Sequence, residues 1–349
     1  MNDALSSAPA QGALRILSAG PGVTLQDAGR HGLLRFGVTG AGPMDPLAFA
    51  LANRVAEVPE GSAALEISMG GVELEAVDAP VTVALAGGAF RIALDGQPVP
   101  AAARLTLQPG AKLQVRPGSV GAWCYLAPSG RIDIAPTLGS LSTHTRSGIG
   151  GPAGRALAAD DVLPLAGPKV LPGGTMEILA PFLARGGDTI RVVLGPQDDY
   201  FSLAEIAAFL AGPWTISVRS DRMASFLDGT PLTHAGGFNI VSDGIAHGAI
   251  QVPGEGYPVV LMADRQPTGG YPKIATIIGA DLGRMAQLRP GTVIHFAAVS
   301  VEEAVAARRA EAADLATGWS LAPLVRTDLS SDFLLGCRLI DGWVNALAP

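Results

Sequence analysis

The 349-residue chain is 48% hydrophobic and 16% charged, so it is globular rather than disordered and long enough for about two domains. Its formal net charge of -7, with no block of Lys or Arg, excludes a general nucleic-acid binder and a polybasic membrane patch. Cys124 and Cys337 lie in apolar runs without a CxxC or a Cys/His cluster, which excludes a disulfide framework and a structural zinc site and points to buried thiols in a reducing compartment.

Residues 1–13 read as a flexible leader without the cationic start and apolar core of a signal peptide. No stretch approaches the ~20 apolar residues of a membrane span, and a cytoplasmic protein is expected. Leu14–Leu17 reads as the first strand, followed by a glycine-punctuated polar loop from Gly22 to Gly32. Asp45 and Pro46 suit the N-cap and first position of a helix whose apolar face carries Leu47, Ala50, Leu51 and Val55. From Gly71 to Ile134, short apolar runs alternate with Gly-Gly, Asp-Gly and Pro-Gly steps, a pattern of strands and hairpins. The loop from Pro136 to Gly154 is rich in hydroxyls around His144 and Arg146; it reads as an anion-binding loop or as an ordinary Ser/Thr-rich surface loop.

The Pro/Gly-rich stretch from Lys169 to Gly187 is expected to cross between domains. Beyond it, Thr189–Leu194 restarts as a strand, and Ser202 and Glu205 have capping-box spacing before a helix. Trp214–Val218, His234–Ile240, Ile250–Val252, Val259–Met262 and Val293–Phe296 read as strands, and Asp281 as the cap of a short helix. Val301–Leu315 is helical by propensity, and Phe333–Ile340 reads as a strand returning to one of the sheets. The expected organisation is a β-rich domain over 14–187, a second β-rich domain over 188–300, and a helix and returning strand over 301–349.

Chemistry concentrates in the run from Ala263 to Lys273. An apolar strand ends in Asp264-Arg265, turns on Gly269-Gly270 and returns through Tyr271-Pro272-Lys273. The glycines leave room for a ligand near the backbone, so the run reads as a polar site on a rigid support; the other reading is a tight turn with a solvated ion pair. There is no Walker loop, no strand-linked GxGxxG, no nucleophile elbow and no metal-type histidine spacing. What remains is a set of arginines at loop ends, Arg30, Arg146, Arg222 and Arg265, with Asp27, Asp221, Asp264 and Lys273. Guanidinium forks bind carboxylates and phosphates, so spacing supports a site for a small anion.

Several motifs occur in order: Thr24-Leu25-Gln26-Asp27 with Gly29-Arg30, Gly42-Pro43-Met44-Asp45, Ala52-Asn53 followed by Leu65-Glu66, Ser220-Asp221-Arg222-Met223, Ile250-Gln251-Val252-Pro253 and the Ala263–Lys273 run. Together they resemble the urea amidolyase-related family, also called biotin-dependent carboxyltransferase-like or KipA-like. Pro267 stands where the family commonly has Thr. The resemblance spans nearly the whole chain and implies two cyclophilin-like β-barrel domains. It also implies part of an ATP-dependent 5-oxoprolinase, which opens 5-oxoproline to glutamate, acting with that enzyme's A subunit and its KipI-like B subunit. ATP would be held or shared by one of these partners.

Carboxyl transfer to urea or a related amide, marked by avidin sensitivity, and KipA-like capture of a KipI-like kinase inhibitor, marked by a tight complex without turnover, are the alternatives. No Met-Lys-Met attachment site occurs, so biotin would arrive on another chain. Within the resemblance, Asp264, Arg265 and Lys273 are the candidate catalytic residues. Arg146, Asp221, Arg222, Gln251, Thr268, Gly269, Gly270 and Tyr271 are candidate substrate contacts. The expectation is that the charged side chains at the strand ends of the second domain face one pocket.

Overall fold

Alternation sets the first sheet. Val72, Leu74 and Ala76 of the Val72–Val77 strand point inward, and this strand pairs with Gln11–Ala19 on one side and Lys112–Pro128 on the other. The long Val81–Leu94 and Lys112–Pro128 strands run antiparallel through the sheet, with a register break near Gly87, where a Cβ would lie 2.5 Å from the Trp123 carbonyl oxygen. Asp95 and Gly96, both at positive φ, turn the chain into Gln97–Val99, as the Asp-Gly step predicts. The computed structural model describes residues 11–324. Over these the fold is mainly β: a 12-stranded sheet, a closed seven-stranded barrel, a two-stranded ribbon and four α-helices.

The barrel runs Thr189–Leu194, Lys273–Ile277, Ala249–Gln251, Val259–Leu261, Ala224–Asp228, Trp214–Ile216 and Val293–Ala298. Parallel pairing of Val293–Ala298 with Thr189–Leu194 closes it. Its interior holds Val192, Phe209, Trp214, Ile250, Val260, Ile274 and Phe296. Met44 and Trp123 of the first half pack against the same cluster, so the two sheets share an apolar seam.

Helix α1 (Pro46–Val55) is capped as expected: Asp45 Oδ1 accepts from Ala48 N at 3.3 Å, with Pro46 at the first position. Helix α2 (Leu203–Ala211) uses Ser202 as N-cap, but Glu205 does not reach back; it accepts from Thr233 N at 3.0 Å instead. Helix α3 (Leu282–Gln287) follows Asp281, which does not cap it. The Asp281 carboxylate is turned to Arg191, accepting from Nη2 at 2.7 Å, because a buried carboxylate needs a cation more than a helix end needs a cap. Helix α4 (Val301–Thr317) carries a full capping box from Ser300 and Glu303.

The expected strand at His234–Ile240 is absent. Gly236 and Gly237 interrupt it, and its backbone bonds outward to Tyr200 and Gly270. The crossing segment from Lys169 to Gly187 contains an unforeseen strand, Met176–Leu179, which pairs with Ala103–Leu107 and with Ser320–Pro323. The chain therefore returns to the first sheet just after α4. The first strand begins at Gln11, inside the expected leader. The rest of that leader, the expected Phe333–Ile340 strand and Cys337 lie outside the described residues. Cys124 is buried and free, and burial pushes its thiol up to about 12, which makes it inert. No described helix is long and apolar enough to cross a membrane.

Candidate functional site

The end of the Val259–Leu261 strand meets the first sheet through one arginine. Asp264 N donates to Arg222 O at 2.9 Å, which sets the two side chains side by side. Arg222 then grips Asp264 with both arms, Nε to Oδ2 at 2.9 Å and Nη2 to Oδ1 at 2.8 Å. Its remaining donors cross the seam: Nη1 donates to Glu66 Oε1, and Nη2 to Gly42 O at 2.7 Å. Glu66 is fully buried on the Ala64–Ile67 strand, and its Oε2 also accepts from Tyr125 Oη and Met44 N, both at 2.8 Å. Burial alone would weaken the Arg222 charge; the Glu66 and Asp264 carboxylates outweigh it and keep the guanidinium protonated. Burial also raises Glu66, against the pull of Arg222 and of the Met44 and Tyr125 hydrogen bonds.

This junction floors one cavity, of about 510 Å³, whose walls include Met69, Trp123 and Met223. Arg146 and Asp221 stand at its rim as an exposed pair, with Nη2 3.3 Å from Oδ2. Arg222, Asp264, Arg146 and Asp221 are thus brought together.

Arg265 turns the other way. Its Nε donates to Ile245 O at 3.0 Å and its Nη1 to Met262 O at 3.3 Å, and it faces a second cavity of about 560 Å³ between the barrel, the segment around Ala28–Pro43, and helices α1 and α4. Arg30 and His247 face the same space.

Gln251, Thr268, Gly269, Gly270, Tyr271 and Lys273 form a third group, at the short ribbon of Asp243–Gly244 with Thr268–Gly269. Lys273 Nζ is buried and donates to Asp243 Oδ2 at 2.9 Å, and this bond holds Asp243 below its usual carboxylate value. Gln251 Nε2 donates to Tyr271 O at 3.3 Å. A Cβ on Gly269 would sit 2.6 Å from that same nitrogen, so a larger residue there would push the Gln251 amide aside. The residues expected around one pocket are therefore divided among two cavities and a ribbon.

The hydroxyl-rich loop is built around Asp27. Burial raises that carboxyl, but Ser140 and Ser142 hydroxyls at 2.6 Å and the Leu141 and Gly29 amides bring it below its ordinary value. The Ser140 and Ser142 hydroxyls thus serve an internal acid rather than an external anion. Neither Glu66 nor His247 is among the site residues expected from sequence. A glutamate inside the apolar run Ala64–Ile67 is the available signal, since a buried carboxylate demands a partner. His247, one of five scattered histidines, gives none.

Residues 36–298 match the family described as the carboxyltransferase domain, subdomain A and B. The chain is 38% identical over 296 residues to the C subunit of 5-oxoprolinase from Escherichia coli (strain K12), a match covering 85% of this chain and 94% of that one. Among solved structures, the K. lactis urea amidolyase superposes with a TM-score of 0.81 at 28% identity, over 95% of this chain and 21% of that one. The structure of TTHA0988 gives 0.71 at 31% identity, over 83% of this chain; the match spans 55% of that chain. With three quarters of its length inside the family match and a shared fold across the seam, this chain belongs to the carboxyltransferase-domain family of subdomains A and B.

Proposed function

We propose that this chain is the C-type component of an ATP-dependent 5-oxoprolinase and opens 5-oxoproline to glutamate only together with the A and B subunits of that enzyme. One observation carries the reading: the match takes in 94% of the length of a 5-oxoprolinase C subunit, against 21% of urea amidolyase. A lactam carbonyl is resonance-stabilised, so opening it calls for activation and for cations placed where charge develops. Arg265, facing the second cavity, is the cation of this chain suited to hold the carboxylate of that substrate. Arg222, whose donors are engaged, acts as a positioning residue: it fixes Asp264 and with it the turn that presents Arg265. Lys273 and Gln251 brace the Gly269–Gly270 bend from the other side.

The second cavity has three arginines against two glutamates, a surplus of one positive charge. That suits a monoanion better than a nucleoside triphosphate, and the reading places ATP on one of the partners. Mixed with the A and B subunits, this chain is expected to give ATP hydrolysis that rises with 5-oxoproline, yields glutamate and is indifferent to avidin. Urea-dependent, avidin-sensitive turnover would instead establish the carboxyltransferase reading. A tight complex with no turnover would leave a regulatory, KipA-like role.

A further inference from the structure

We propose that the second cavity is a subsite for a small monocarboxylate, its acid group held by Arg30 and Arg265 and its uncharged polar end met by His247. The inference deepens the function proposed above and rests on it only for which acid is bound. Arg30 is 2% exposed; its Nε donates to Thr137 O at 3.0 Å and its Nη2 to Ser140 O at 3.2 Å. Its Nη1 is buried and has no hydrogen-bond partner among the described residues. A buried charged donor left unpaired is costly, and Arg30 lines the cavity, so a ligand oxygen that reached Nη1 would supply the acceptor it lacks.

The carboxylates nearest in the sequence motifs are already engaged. Asp27 is held by Ser140, Ser142 and two amides, and Asp264 by both arms of Arg222. Arg265 makes only carbonyl bonds and no ion pair among the described residues. Of the two acids at the cavity, Glu311 pairs with Arg308 and Glu60 is exposed. One bound carboxylate would cancel the surplus charge.

His247 supplies the second orphan, an Nε2 that is buried without a partner among the described residues. Burial, with Arg265 and Arg222 nearby, lowers this histidine to about 3, so at neutral pH it is an uncharged imidazole. It would meet an amide or carbonyl rather than a second anion. Pro43, Leu47, Phe49 and Leu315 give the space an apolar side for a ring, and its volume lies within the ~300–1,000 Å³ of small-molecule sites.

The test is a calorimetric titration of the full chain, alone and mixed with the A and B subunits, with 5-oxoproline and with 2-pyrrolidinone, the same ring without the carboxylate. The His247 imidazole nitrogens are followed by NMR in parallel on the chain alone. Binding of 5-oxoproline with movement of the His247 signal is expected. Affinity should fall about tenfold or more for 2-pyrrolidinone and for Arg265→Gln, the loss of one charge-assisted contact. Because Arg30 anchors its loop, Arg265→Gln carries the comparison, and His247→Gln gives an independent check through loss of affinity in a folded protein. Equal binding of the neutral lactam, or a His247 signal unmoved at saturation, overturns the subsite. Carboxylate binding here without 5-oxoproline-driven turnover would overturn the proposed function and leave the subsite standing; turnover with unaffected variants would do the reverse.

Discussion

Glu66→Ala is expected to destabilise the protein by about 3–5 kcal/mol, because it strips a buried guanidinium of one of its two carboxylates. Glu66 is fully buried, and the Arg222 side chain is only 11% exposed, so little water can replace the lost partner. The same change leaves Tyr125 Oη and Met44 N without their shared acceptor. Urea denaturation gives the value directly. Glu66→Gln, which keeps an oxygen acceptor, should lose less, and Glu66→Ala should couple with Asp264→Ala by about 0.5–3 kcal/mol since both act through Arg222. A Glu66→Ala protein within about 1 kcal/mol of the parent would mean that the seam is not held by this junction.

The second large effect is expected at Gly150. It sits at φ +74°, and a Cβ there would lie 1.9 Å from Ser142 O and 2.4 Å from Arg30 Nη2. Backbone cannot yield as a flexible side chain does, so Gly150→Ala combines overpacking with left-handed strain, about 2–4 kcal/mol. The contact with Arg30 adds a functional consequence. The alanine should displace the guanidinium and weaken 5-oxoproline binding even at temperatures where the variant stays folded. Gly148→Ala is the control: also at positive φ but with open space around a Cβ, it should cost less and leave binding intact.

Much of this architecture was legible in the chain. Asp45-Pro46 announced its helix and Asp95-Gly96 its hairpin, because each depends on local rules. His234–Ile240 misled, since apolar residues flank two glycines that break the ladder. Met176–Leu179 was hidden by surrounding prolines and glycines, and only its partners at Ala103 and Ser320, far away in sequence, make it a strand.

The site was legible as a list of residue types and not as an arrangement. Asp264 and Arg265 are neighbours in the chain yet serve different cavities, because one side chain turns to Arg222 and the other to Ile245 O. Arg222 looked like an anion fork from its position at a strand end. Its employment by Glu66, 156 residues away, is a tertiary fact. The orphaned nitrogens of Arg30 and His247 likewise exist only once the seam has closed over them.

The most direct measurement is a crystal structure of this chain, assembled with its partners, in the presence of 5-oxoproline. The ligand's carboxylate is predicted within hydrogen-bond distance of Arg265 and Arg30 Nη1, with the lactam amide toward His247. Density for the acid in one of the partners, with the space beside Arg265 filled only by water, would contradict the account.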